Sequence, residues 1–216
     1  MIFLRRSEWG SGVKATKAVA HPVTSQGGAV KTVVLHHSVT GRSPSLDRAR
    51  AIESYHQGTG TNFYDLAYNF MVSAVDGNVF EGRGALVQGG ATGKAKGKKR
   101  PEDETSLSVC AIGNFEDSEP PQLLLNNLVD LLGKLVADGH VAPDFVMRPH
   151  SDFKATACCG KNLAAEIPSL VDRVRHLAEP VAKPVVVVGK PEGVGVAPVA
   201  YSDAAKLAWI KQILDM

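Results

Sequence analysis

Apolar residues along this chain fall into short continuous runs separated by longer stretches of helical spacing. Lys31 to His37 is a continuous β-branched run, which predicts a strand buried on both faces. Ser45 to His56 places Leu46, Ala49, Ile52 and Tyr55 or His56 at helical spacing, with Ser45 as its expected cap and Gly58 and Gly60 as its stop. Asp65 to Val72 reads as a second strand, Asp76-Gly77-Asn78 as a hairpin turn and Val79 to Gly84 as the returning strand. Leu107 to Phe115 predicts a third core strand. Pro120-Pro121 opens a long helix, Gln122 to Asp138, whose Leu124, Leu128, Leu131, Leu132 and Leu135 share one stripe. Phe145 to His150 is a short apolar approach, and Asn162 to Ala178 a last helix. Residues 5–10 form a short lead-in with Trp9 as packing anchor, and residues 11–30 read as loop. Residues 85–104 hold Lys94, Lys96, Lys98, Lys99 and Arg100 among glycines; without an apolar face they are expected to form a mobile loop. The pattern contains no internal repeat.

The pattern changes after Glu179. Residues 180–200 are rich in Pro, Gly and Val and read as a linker, and 201–216 as an amphipathic helix with Ala205, Leu207, Ile210 and Leu214 on one side. The 216 residues thus divide into an expected domain at 1–179 and a tail that docks on it or serves in binding. An apolar share of 44% is enough to fill a core. A net charge of +2 implies no strong overall attraction to nucleic acid, and the lysine run is read as solvated. No stretch approaches the roughly 18 apolar residues of a membrane span. Met1 to Arg6 lacks the charge order and apolar length of a secretory signal.

The cysteines are Cys110, Cys158 and Cys159, an odd set with two adjacent members, which does not read as a disulfide framework. Cys110 is read as a small apolar residue of a buried strand. The segment from His150 to Cys158 puts an imidazole and a thiol eight positions apart, between Pro149 and Gly160. Zinc takes such nitrogen and sulfur donors in a tetrahedral arrangement, and catalytic sites use three protein ligands. The third is sought at the end of an apolar run, where His36 stands. His36, His150 and Cys158 are therefore the expected ligands of Zn2+. Cys159 is a weaker candidate for a fourth, because neighbouring side chains rarely point at one ion. Zinc so held acidifies water and polarises a carbonyl, which suits amide hydrolysis. Tyr68, on the second expected strand, is the candidate donor to the developing oxyanion; composition alone reads it as a core aromatic.

These pieces carry a resemblance. Arg6-Ser-Glu-Trp9-Gly10, Val33-Val-Leu-His36-His37-Ser38, Tyr55-His56-Gln57 and Asp65-Leu-Ala-Tyr68-Asn69-Phe70 stand in that order. Asp76 to Gly84, Val109 to Phe115, His150-Ser-Asp152 and Thr156-Ala-Cys158 complete the set. Over roughly residues 5 to 178 the chain resembles the zinc amidase family of phage N-acetylmuramoyl-L-alanine amidases and peptidoglycan recognition proteins. The resemblance implies an α/β fold in which a mixed central β-sheet is flanked by α-helices, with a substrate groove over the zinc. It implies cleavage of the amide between N-acetylmuramic acid and L-alanine in bacterial peptidoglycan. It places the ligands at His36, His150 and Cys158 and the catalytic Tyr at Tyr68, and leaves His37 at a variable position. Thr156 stands where some phage members carry Lys, and is expected to assist by hydrogen bonding. Two departures stand out: Cys159 replaces the family's usual Pro, and Gly90-Ala91-Thr92 leads into the lysine run where relatives often show Gly-Ala-His. A monomeric phage endolysin is expected, kept in the host cytoplasm until lysis and acting without nucleic acid or membrane insertion. The alternatives are a non-catalytic peptidoglycan-binding protein and a cytoplasmic amidase acting on recycled muropeptides.

Overall fold

A computed structural model describes residues 1–12, 18–41, 44–58, 64–92 and 101–178. They lie within one compact unit, Met1–Glu179. The lysine run and everything from residue 179 onward, including the expected linker and terminal helix, lie outside the described residues. The strands are β1 (Phe3–Leu4), β2 (Val30–His37), β3 (Phe70–Ser73), β4 (Val79–Glu81), β5 (Ser106–Ile112) and β6 (Val141–Pro149). They form one sheet in the order β1-β4-β3-β5-β2-β6. Only β3 and β4 pair antiparallel among these neighbours, so the sheet is mixed. The helices are α1 (Arg6–Trp9), α2 (Ser45–Gln57), α3 (Pro101–Thr105), α4 (Gln122–Ala137), α5 (Lys161–Ala165) and α6 (Ile167–Ala178).

Strand side chains alternate between the two faces of a sheet, and here each face has its own apolar layer. Val33, Leu35, Phe70, Val72, Val109 and Ala111 pack with Leu124, Leu128, Leu131, Leu132 and Leu135 of α4 and with Leu170 and Val174 of α6. Met71, Phe80, Cys110 and Ile112 face the other way, against Trp9 and Ala49 and Ile52 of α2. The α4 leucine stripe is buried as its periodicity predicts. On α2 the choice at the stripe's end falls to His56, 8% exposed, while Tyr55 is 67% exposed. Cys110 is buried in β5, as expected of a small apolar residue. No helix among the described residues is long and apolar enough to cross a membrane.

Several expected elements change. The second strand starts at Phe70: Asn69 N–H reaches the Ser108 carbonyl of β5 at 2.9 Å, but the amides of Leu66 and Ala67 bond to side chains rather than to a neighbouring strand. Leu66 N–H donates to Asp65 Oδ1 at 2.6 Å and Ala67 N–H to His56 Nδ1 at 3.2 Å. That strand lies between β4 and β5. The returning strand ends at Glu81, since Gly82 and Arg83 donate their amides back to Asn69 and Tyr68. Ser45 is the first residue of α2 rather than its cap; Pro44 occupies the cap, and Ser45 Oγ donates to Asp76 Oδ2 at 2.5 Å. The approach to His150 is a nine-residue strand, β6. The last helix is two, divided at Glu166 just ahead of Pro168. Residues 11–30 hold a 3-10 turn at Thr24–Gln26, and Ala20 bridges to Val87. The 85–104 segment is not loop throughout, for it ends in α3.

Candidate metal centre

The site stands on the α2 face of the sheet. Its first residue is His36, near the end of β2, paired in register with Cys110 of β5. The neighbouring pair Leu35–Pro149 brings the end of β6 alongside, so His150, which opens a 3-10 turn, reaches the same place. The loop that follows is fastened back to this turn: Ser151 N–H donates to the Cys158 carbonyl at 2.7 Å. It is fastened again at Gly160, which has φ +88° and where an added Cβ would stand 2.4 Å from the Phe115 carbonyl carbon, so that only glycine fits. Donor atoms of His36, His150 and Cys158 consequently lie within 4.8 Å of one another. Cys158 Sγ is 3.7 Å from His36 Nδ1, and the two imidazole centroids are 4.4 Å apart.

The residues around this trio sort clearly. His37 is turned to backbone work: its Nδ1 accepts the Phe115 amide at 3.2 Å, and its own amide donates to Cys158 Sγ at 3.3 Å. Cys159 points away into the α4 layer, 1% exposed. Thr156 is exposed, and its hydroxyl accepts the Cys158 amide at 3.3 Å, bracing the ligand loop. Tyr68 lies in the loop ahead of β3, its ring centroid 5.2 Å from those of both His36 and His56. The sequence had left His56 only as one option for a helix stripe; its contact with Tyr68 depends on the loop's path, which no local pattern encodes. Thr92 was also missed: its carbonyl is 3.2 Å from His150 Nε2.

Tyr68 is carried by the segment Asp65–Asn69, itself tied to a buried cation. Arg6 Nη2 donates to Glu53 Oε1 at 2.5 Å and to Asp65 Oδ1 at 2.7 Å, and Nη1 donates to the Gly82 carbonyl at 3.2 Å. Gly82 in turn presses on Tyr68: a Cβ there would stand 2.2 Å from the Tyr68 carbonyl oxygen.

The donor set fits a metal cation. Burial, with the neighbouring imidazoles of His150, His37 and His56 behind it, holds His36 well below its usual pKa, hence neutral and able to donate a lone pair. His36 Nε2 is buried with no hydrogen-bond partner among the described residues. Burial also lowers the His150 pKa, against the opposing pull of the Thr92 carbonyl and Asp103. Burial pushes the Cys158 thiol up to about 11, partly offset by the His37 amide. Neutral imidazoles beside a thiol are the groups a dication would engage, and ion binding would favour the thiolate. Burial first, then Cys110 and Cys158, keeps the Tyr68 phenol well above its usual pKa, so it remains a proton donor.

Residues 26–161 match the model of the N-acetylmuramoyl-L-alanine amidase family. The chain belongs to this family. It is 29% identical over 169 residues to peptidoglycan recognition protein 1 of Mus musculus, covering 76% of this chain and 85% of that one. It is 30% identical over 171 residues to peptidoglycan-recognition protein LB of Drosophila melanogaster, covering 77% and 67%. The solved structure of wild-type Drosophila PGRP-LB superposes with a TM-score of 0.65 at 26% identity, over 77% of this chain and 92% of that chain. Peptidoglycan recognition protein LE, solved with tracheal cytotoxin, a monomeric diaminopimelic acid-type peptidoglycan, gives 0.66 at 29% identity over 77% and 92%. The α/β fold with its helix-flanked mixed sheet is therefore that of the amidase family, and the family's work is on peptidoglycan, by cleavage or by recognition.

Proposed function

We propose that this amidase-family chain is a zinc-dependent hydrolase of the amide between N-acetylmuramic acid and L-alanine in peptidoglycan. The observation that carries the reading is the convergence of His36, His150 and Cys158 donors within 4.8 Å, with the Tyr68 ring tilted against His36, centroids 5.2 Å apart. Two histidines and a cysteine leave one position of a tetrahedral ion open. Zinc bound there would supply Lewis acidity, which acidifies water and polarises a carbonyl. The remaining work belongs to the chain. Tyr68, kept protonated, donates its O–H to the oxygen that gains charge as the lactyl carbonyl is attacked. Water adds its oxygen to the carbonyl carbon, the C–N bond breaks, and the proton released by the water ends on the departing nitrogen, leaving a lactyl carboxyl group and the free amine of L-alanine. Thr156 is a positioning residue that holds the Cys158 amide. His56, whose ring is tilted against that of Tyr68 with centroids 5.2 Å apart, is a second positioning residue that helps set the phenol's orientation.

A second reading, recognition without cleavage, is favoured by the names of the relatives, which are peptidoglycan recognition proteins. The binding seen in the LE complex makes a diaminopimelic-acid-type stem peptide a fitting ligand under either reading. The two are separated by incubating purified peptidoglycan with wild type and Tyr68→Phe and analysing soluble products by mass spectrometry. Free stem peptides with N-terminal L-alanine, released roughly 10²–10³-fold more slowly by Tyr68→Phe, support the hydrolase. Protein that sediments with uncut walls supports recognition instead. The use we propose for this hydrolase is phage lysis of a host. It is tested by turbidity loss when the protein is added to permeabilised bacteria; turbidity that stays constant speaks against it.

A further inference from the structure

Behind His150 lies a pair of buried residues that belong to neither the ligand set nor the Tyr68 support. Thr92 is 3% exposed and Asp103, in α3, is 1% exposed. The Thr92 amide donates to Asp103 Oδ1 at 3.2 Å, and the Thr92 carbonyl lies 3.2 Å from His150 Nε2. A carbonyl can only accept, so this contact requires Nε2 to carry the proton. The lone pair then resides on Nδ1. A metal-bound imidazole characteristically donates its other N–H to a carbonyl or carboxylate, which fixes both tautomer and ring orientation. Here the carbonyl belongs to a segment that Asp103 holds from its other side. A buried carboxylate is unfavourable unless its partners compensate it, so its placement at this joint is a structural commitment to the loop's position.

We propose that Asp103 is a positioning residue for the metal centre: by accepting the Thr92 amide it sets the Thr92 carbonyl against His150 Nε2 and so presents His150 Nδ1 to the ion. This rests on the zinc reading above. Both contacts are made by the Thr92 backbone, so the identity of residue 92 matters less than the acceptor at 103.

The test is the zinc dissociation constant of the full chain, measured by competition with a chromophoric chelator, together with the melting temperature of the zinc-free protein. Wild type that takes up no zinc would overturn the functional reading itself, and the Asp103 role with it. Given zinc uptake by wild type, Asp103→Ala is expected to bind zinc roughly 10- to 100-fold more weakly. Asp103→Asn, which retains the Oδ1 acceptor, is expected to recover most of that affinity. Zinc affinity in Asp103→Ala equal to wild type, with only a lowered melting temperature, would show a purely structural residue and overturn the proposal. Should Asp103→Ala fail to fold, the ring nitrogens of His150 in zinc-free wild type decide by NMR. An Nε2–H tautomer supports the arrangement, and an Nδ1–H tautomer overturns it.

Discussion

Cys158 and Cys159 are adjacent in sequence and opposite in environment. Cys158 Sγ sits 3.7 Å from His36 Nδ1, whereas Cys159 is buried in the apolar layer under α4. Cys158→Ser is therefore expected to remove both bound zinc and amide cleavage. Cys159→Ser should retain one zinc per chain while losing about 1–3 kcal/mol of stability, the cost of a poorly partnered buried hydroxyl. Metal analysis alongside thermal melts of the two variants checks this, and zinc loss from Cys159→Ser alone would contradict it. At this scale much of the site was legible. His36 ends an apolar run and Cys158 follows His150 at fixed spacing, and both cues are local. Thr92 and Asp103 were not legible: their contacts with each other and with His150 pass through the Thr92 backbone, and the latter spans 58 positions. Side-chain type says nothing about such a contact.

Elements deliver these residues through register and through loops, and the two were unequally readable. The β2 run and the α4 stripe follow from spacing because burial on a sheet or helix face imposes a period. Asp65 to Asn69 has the composition of a strand, but its ladder bonding begins at Asn69, whose amide reaches the Ser108 carbonyl of β5. The Leu66 and Ala67 amides go instead to the Asp65 and His56 side chains, and Asp65 is held by Arg6. A buried ion pair thus overrides strand propensity and leaves Tyr68 on a loop beside His36. Gly82 is the point where β4 meets that loop. Gly82→Ala puts a methyl 2.2 Å from the Tyr68 carbonyl oxygen, against backbone that cannot swing aside. The expected result is a lower melting temperature and slower cleavage with zinc content unchanged, because His36, His150 and Cys158 come from other elements. Unaltered cleavage by folded Gly82→Ala would disconnect this junction from Tyr68.

Across the described residues, burial holds His21, His36, His37, His56 and His150 at lowered pKa values, His56 at about 4. Below pH 6.5 the unfolded chain takes up protons that the folded zinc-free protein refuses, so stability falls with falling pH. The loss begins near 6.5 and proceeds toward 4, by at most about 1.4 kcal/mol per pH unit for each histidine still neutral. Glu53 adds to the decline lower down. Burial raises its pKa, but hydrogen bonds from Ser11 and the charge of Arg6 outweigh this and leave it lowered, so its contribution holds above pH 4.5 and fades beneath. Melting curves of chelated protein from pH 7 to 4 should show this descent, and a flat profile would contradict it. The most direct test of the central claim follows stem-peptide release from purified peptidoglycan as metal is removed and returned. The account predicts release by the zinc-loaded protein, its loss on chelation and its recovery when one equivalent of zinc is restored. Undiminished release from metal-free protein would contradict it, as would walls that bind zinc-loaded protein and remain uncut.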